Sequence, residues 1–340
     1  MATQRELARL AGVSAGTVSN VISGSTKVSD AARRKVLDAI QVLNYRPNLI
    51  ARSLKTNRTH TLGIVVPDIT IPFFPKIVRG AESAARERGY FLVVLDSQGS
   101  HDLEIDMMAL LRQRVDGILL VTAGDYKWSQ QSVTEIMDGP PVVCVDRLPV
   151  GLDTDSVCVD DFGASELGIK HLLALGHRDI AIVTGPLSLK NEQERLRGYK
   201  RALKSAGIEA RSSFVWSASF EKEEIEAEIR HRLERTKPRP TALFATNGVT
   251  GIYALRSLYG MGMETPRDIA FTTIDELISE DIFQPRVTCV VQPTHEIGYR
   301  AVEVLLDRIG RNGAGGPPTR VRLPASLVAR ESSRLRRGER

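Results

Sequence analysis

Along the first 45 residues apolar side chains recur every three or four positions, whereas beyond residue 60 they gather into short continuous runs separated by amphipathic stretches. The two regimes predict different structure. Thr3 and Glu6 have the spacing of a capping box, and Leu7, Ala8, Leu10 and Ala11 supply the apolar face of a helix that Gly12 ends. Ser14 is the next N-cap, with Val18, Val21 and Ile22 as the buried side of a second helix. A third runs from Ser29 to about Asn44, and Val36, Leu37, Ile40 and Leu43 close a small core. Two short helices joined by a tight glycine-containing turn predict a helix-turn-helix.

Beyond residue 60 the runs LGIVV, YFLVVLD, DGILLV and PVVCVD alternate with amphipathic stretches around 74–89, 101–114 and 128–138. A second series has helices at about 164–175, 195–206, 221–235 and 248–260, with strands DIAIVTG, ALFAT and DIAFTTID and a crossover strand VTCVV. Continuous apolar strands with helical crossovers require parallel sheets covered on both faces. The expected fold is therefore a small all-α head on an α/β body of two lobes, each a doubly wound parallel sheet.

Composition is that of a soluble globular protein, with 42% hydrophobic and 26% charged residues. Charge placement changes the picture more. Residues 1–60 hold ten Lys/Arg against three acids, a surplus of +7; the chain totals +5, so the other 280 residues carry −2. A basic head on a slightly acidic body points to a polyanion partner for the head alone. The N-terminus MATQRELARLAG lacks the apolar stretch of a signal peptide and no run of 18 apolar residues occurs, so a cytoplasmic location is expected. Cys144, Cys158 and Cys289 lack ligand-like spacing and are expected to be reduced and buried, with no metal site.

A recognition helix presents its N-terminal residues to base edges, and small or hydroxylated side chains let it approach the phosphates. Here the outward set is Ala15, Gly16, Thr17, Ser19 and Asn20. Asn20 suits a base hydrogen bond, and Thr17 and Ser19 suit phosphate. Thr3 and Ser14, at the helix starts, join the DNA-contact set, whereas Arg33, Arg34 and Lys35 fit solvent or phosphate equally. Asn48 caps the stretch LIARSLK, in which Leu54, flanked by Arg52 and Lys55, suits either packing on the body or a minor-groove wedge.

In the body, ligands of open α/β sheets bind beyond the carboxyl ends of the strands, where Asp68, Asp146, Asn247, Asp275 and Gln292 stand. A carboxylate there is as often a helix N-cap. Trp216 fits core or pocket, and His177, with no nucleophile or metal partner in view, reads as structural. No G-x-G-x-x-G follows a strand and no G-x-x-x-x-G-K-[ST] occurs, which argues against a nucleotide-dependent enzyme; no cofactor is called for. A transport solute-binding protein would suit the body, but the basic head and missing export signal argue against it.

The segments LARLAGVSAGTVSNVI, VSDAARRKVLDAIQVLNYRPNLIARSLKT, LRQRVDGILLV, HLLALGHRDIAIVTGPL, RLRGY and TRVRLPASLVARES together resemble the lactose-repressor/galactose-repressor family over essentially the whole chain. The head and the ARSLK hinge are especially similar to its purine-repressor branch. The resemblance implies a transcription repressor, not an enzyme. It implies a homodimer, or a higher oligomer, bound to a palindromic double-stranded DNA operator, with a hinge helix that folds on that operator. A small-molecule effector, a sugar or sugar derivative, would lie between lobes like those of periplasmic sugar-binding proteins. The implied divisions are head 1–46, hinge and linker 47–60, first lobe 61–160 with about 292–322, second lobe 161–291 with about 323–333, and tail 334–340.

Leu54 matches the family's intercalating leucine, with Asn48, Arg52 and Lys55 beside it. Matching the family motifs adds Phe73, Phe74, Arg195 of RLRGY and Phe220 to the effector site, the arginine for an anionic or hydroxyl-rich ligand and the aromatics as a stacking wall. Departures stand at Ala15, Gly16 and Asn20 in the head. In the body, Asn247-Gly248 replaces the usual Asn-Asp, Thr273-Ile274 replaces Gly-Tyr, and Asn191 and Glu192 fall in a segment that approaches effectors.

Overall fold

The computed structural model describes residues 3–22, 27–45, 58–124, 128–149, 151–277, 284–311 and 316–334, in two units, Met1–Thr59 and His60–Arg340. The hinge assignments at Asn48, Arg52, Leu54 and Lys55 lie outside the described residues.

In the first unit, helices α1 (Gln4–Ala11), α2 (Ala15–Ile22) and α3 (Asp30–Val42) begin where their caps predict. Thr3 Oγ1 accepts from the Glu6 amide (3.3 Å) while the Thr3 amide donates to Glu6 Oε2 (2.7 Å), which satisfies donors that the first helical turn leaves orphaned. Gly12 ends α1 in the left-handed region at φ +64°, where a side chain is strained. Ser14 and Ser29 accept from the amides of Thr17 and Ala32 to start α2 and α3. Leu7, Val18 and Val36 are fully buried and form the centre of the core, with Ala39 and Tyr45 packed around them.

Two expected core residues are not in it: Leu10 is 51% exposed and Leu37 is 48% exposed. The inward stripe of α3 is Val36, Ala39, Ile40 and Leu43, spaced i, i+3, i+4 and i+7. Leu37 lies one residue, about 100°, off that stripe, and the small Ala39 takes the inner place.

The second unit begins with β1 (Thr61–Val66), α4 (Phe73–Glu87), β2 (Phe91–Asp96), α5 (His101–Arg112), β3 (Gly117–Leu120), α6 (Gln130–Met137), β4 (Val142–Val145) and β5 (Asp155–Val159). Next come α7 (Asp161–Ala174), β6 (Ile180–Thr184), α8 (Lys190–Ser205), β7 (Val215–Ser217), α9 (Lys222–Arg235), β8 (Ala242–Ala245), α10 (Gly248–Gly260), β9 (Ala270–Ile274) and β10 (Thr288–Val291). The chain then returns through α11 (Thr294–Gly310), β11 (Arg320–Leu323) and β12 (Ser326–Val328).

One sheet has the order β11-β5-β4-β3-β1-β2 and the other β12-β10-β9-β8-β6-β7, so the lobes repeat one topology. Every pair is parallel except β10 with β12. The chain passes between lobes three times, at Asp160, at Gln292-Pro293 and at Pro324-Ala325. Strands β3, β4, β6, β8 and β9 are buried along their whole length, as their apolar runs require.

The apolar pattern misses β5, β7, α11, β11 and β12. In β5, Asp155 and Ser156 interrupt the run, yet both are buried, because Arg308 of α11 holds Asp155 through two bonds of 2.8 and 2.6 Å. Helices α7 and α8 start three and five residues before the predicted 164 and 195; the first turn of α8, Lys190 to Gln193, is wholly polar. Trp216 is fully buried in the second lobe's core, its Nε1 donating to the Ser213 carbonyl (2.8 Å). His177 is structural: its Nδ1 meets Thr241 Oγ1 (3.0 Å) and its Nε2 the Ser333 carbonyl (3.2 Å), tying the end of the chain to the lobe. The three cysteines form no disulfide and are buried. Among the described residues no helix is long and apolar enough to cross a membrane.

Candidate DNA-binding face and effector cleft

Packing fixes which side of α2 faces outward. Val18 and Val21 point into the head's core, which leaves Ala15, Gly16 and Asn20 exposed and Thr17 and Ser19 half-buried. Thr17 Oγ1 lies 2.9 Å from Ser14 Oγ, so the two hydroxyls are linked at the helix start, and Thr3 is exposed. A glycine inside a helix costs about 1 kcal/mol relative to alanine. Among the described residues an added Cβ at position 16 would meet only Ser14 Oγ, at 3.6 Å.

In the body the strand-end residues converge from both lobes. Asp146 ends β4 and Asp275 ends β9, at equivalent places in the repeated topology, and both adopt left-handed backbone, φ +65° and +71°. Such conformations cost non-glycine residues about 1–3 kcal/mol and concentrate at functional sites. Asp275 accepts from Gln292 Nε2 (2.8 Å) and from the Gly248 amide (3.4 Å). Asp146 Oδ2 lies 3.3 Å from Arg147 Nε, while its Oδ1 is buried without a hydrogen-bond partner, as is Gln292 Oε1. Burial pushes both Asp146 and Asp275 above the usual carboxylate range, opposed by the nearby guanidinium groups.

Arg195, on the second turn of α8, is 3% exposed. Its Nε (2.8 Å) and Nη2 (2.7 Å) meet Asp161 Oδ1 at the start of α7, and its Nη1 donates to Glu192 Oε1 (3.2 Å) and to the Thr246 carbonyl (2.9 Å). Four of its five N–H groups are thereby committed. Glu192 also accepts from the Gly185 amide (3.2 Å), Asn247 Nδ2 (3.0 Å) and Thr246 Oγ1. Asn247 is at once the N-cap of α10, accepting from the Thr250 amide (2.8 Å), and part of this network. Burial raises Asp161 to about 7 despite the Arg195 charge.

A cavity of about 280 Å³ opens between the lobes, lined by Phe73, Lys76, Asp275, Glu276, Gln292 and Thr294, at the small end of small-molecule sites. Lys76 Nζ, from the first lobe, lies 3.6 Å from Glu276 Oε2 of the second. Phe220 lies over Gly185, where its ring and the Glu192 carboxyl leave no room for a Cβ. Phe73 is on the cavity wall, but Phe74 is 3% exposed in the first lobe's core. Asp68 closes the turn after β1, accepting from the Thr70 amide (2.8 Å) and hydroxyl (2.6 Å).

Sequence reading missed Asp161, Lys76, Glu276 and Thr294. The i, i+3 spacing of Glu192 and Arg195 on one helix is a local signal for that pair, whereas Asp161 and Lys76 reach the site only through tertiary packing.

Residues 3–48 match the family profile described as bacterial regulatory proteins, lacI family, and residues 169–333 match that of a periplasmic binding protein-like domain. The chain is 35% identical over 310 residues to the ribose operon repressor of Escherichia coli (strain K12), covering 91% of this chain and 93% of that protein. It is 34% identical over 315 residues to the HTH-type transcriptional repressor PurR of Mannheimia succiniciproducens, covering 92% and 94%. Among solved structures it is similar to a lac repressor dimer bound to operator and the anti-inducer ONPF, with a TM-score of 0.80, 26% identity, and 98% and 99% of the two chains covered.

Proposed function

The chain belongs to the lacI family of bacterial regulatory proteins, as a DNA-binding transcription repressor with a ligand-binding body, and on that premise we propose that it acts in the cytoplasm as a homodimer on a palindromic operator under control of a sugar effector. The observation that carries the DNA reading is the outward face of α2, small and polar from Ala15 to Asn20, on a head with a surplus of positive charge. Thr3, Ser14, Thr17 and Ser19 serve phosphate and Asn20 a base edge, while Arg52 and Lys55 hold phosphates as Leu54 opens a minor-groove step.

The dimer reading rests on the edge of the first lobe. Strand β2 is almost wholly apolar, yet Phe91 is 63% exposed, and Val93 and Val94 are about 40% exposed. An uncovered apolar edge strand invites pairing or aggregation, and a second copy would cover it. The effector reading rests on Asp146 from one lobe and Arg195, Asn247 and Asp275 from the other, with Gln292 at a crossover and Phe73 and Phe220 as apolar walls. Similarity to a ribose operon repressor supports a sugar. An effector that bridges the lobes favours one lobe arrangement and so biases DNA affinity through that differential binding.

Titration of a fluorescent palindromic duplex at two salt concentrations tests the DNA reading: affinity should fall steeply with salt, because phosphate contacts release counterions. Salt-independent binding would reject it. Leu54→Ala should weaken specific binding far more than non-specific binding; equal losses would exclude the wedge. For the cleft, stabilisation by pentoses or hexoses in a thermal-shift screen should be lost in Arg195→Ala, and a screen answered by purine bases alone would reject a sugar.

A further inference from the structure

The balance of donors and acceptors in the cleft, if the cleft is the effector site proposed above, specifies the ligand's charge. Four buried carboxylates, Asp146, Asp161, Glu192 and Asp275, surround the buried guanidinium of Arg195, and all four act electrostatically on it. Asp161 and Glu192 take most of its N–H groups through contacts of 2.7–3.2 Å, and the Thr246 carbonyl takes another. Each cation at the rim has a carboxylate partner: Arg147 forms an ion pair with Asp146 at 3.3 Å, although its Nε makes no hydrogen bond, and Lys76 and Arg330 each lie 3.6 Å from Glu276. Two further observations show what is lacking. Asp146 and Gln292 are each 4% exposed, and each keeps a side-chain oxygen, Oδ1 and Oε1, with no donor. A buried acceptor without a donor is costly, so these two positions call for donors from the ligand, in a site already supplied with negative charge.

We infer that the cleft takes a hydroxyl-rich effector bearing no negative charge, an unmodified sugar or an amino sugar, and refuses the matching sugar acid and sugar phosphate. Sugar hydroxyls or an ammonium group donate to Asp146 Oδ1 and Gln292 Oε1. A carboxylate or phosphate would face these acceptors, and Arg147, Arg195 and Lys76 are each already paired with a carboxylate. Glu192 sets this selectivity: by holding Arg195 from its own helix it removes the charge that would otherwise recruit an anion.

Isothermal titration of the full-length protein at pH 7.5 against matched sets tests the inference: ribose with ribonate and ribose 5-phosphate, and glucose with glucosamine, gluconate and glucose 6-phosphate. The anions should bind at least about 100-fold more weakly than the neutral or ammonium member of their set, two powers of ten being what an unpaired buried charge readily imposes. In Glu192→Gln the gap should narrow by about tenfold or more, through stronger anion binding, with Asp161→Asn as a second variant should the first fail to fold. An anion that binds the wild type as tightly as its parent sugar overturns the charge rule and leaves the effector cleft standing. Silence across every set would count against the sugar-effector reading itself, and the charge rule would fall with it.

Discussion

At the scale of single residues the body holds several carboxylates at a cost. Glu104, fully buried in the first lobe, accepts from Thr122 Oγ1 (3.0 Å) and from the Ala123 amide, yet burial outweighs these bonds and raises it to about 7 from 4.5. The folded chain therefore keeps between about pH 4.5 and 7 a proton that the unfolded chain has lost, and stability falls as pH rises through that window. Relative to Glu104→Gln, the wild type should lose about 2 kcal/mol between pH 5.5 and 8, read from thermal unfolding of both proteins. Parallel pH profiles would sink this account. Asp161, also raised to about 7, adds a slope of the same sign.

At the scale of elements, two helices meet more closely than their apolar stripes foretell. Helix α4 packs on α11 through Gly80, whose missing Cβ would strike the His295 carbonyl, and Gly298, whose missing Cβ would strike the Ile77 carbonyl. Each obstacle is backbone and cannot rotate aside. Gly80→Ala and Gly298→Ala should each destabilise the protein by about 2–4 kcal/mol in chemical denaturation, although alanine is the better helix former; a neutral or stabilising result would contradict the close approach. The contrast is Gly12, whose surroundings are open but whose φ of +64° strains any side chain, so Gly12→Ala should cost only about 1 kcal/mol. Protection of the head from proteolysis measures that loss.

At the scale of the whole molecule, the exposed apolar edge of the first lobe makes a prediction about assembly. Phe91→Asp places a charge on the face assigned to the second copy while burying nothing in the monomer, where Phe91 is already 63% exposed. Sedimentation should shift toward monomer, and affinity for a two-half-site duplex should fall toward that for one half-site, with thermal stability of the body little changed. A variant that stays dimeric would move the interface elsewhere.

Much of this was legible in the sequence because it depends on neighbours along the chain. Caps at Thr3, Ser14 and Ser29, the turn at Gly12, and the apolar runs of the central strands are local signals, and they sufficed for the head, the two-sheet body and most element boundaries. Their places at strand ends mark Asp146, Asn247, Asp275 and Gln292 in the sequence alone. Tertiary structure alone decided the rest. Leu37 is exposed and Ala39 buried because the partner helices select one stripe of α3. Phe74 is core and Phe73 wall because α4 turns one face to the sheet. Arg195 is held by Asp161, a residue 34 positions away with no pattern to announce it, because α7 and α8 lie side by side. Local sequence specifies which groups each element carries, but the charge a cleft presents depends on which of them meet, and that is set by packing.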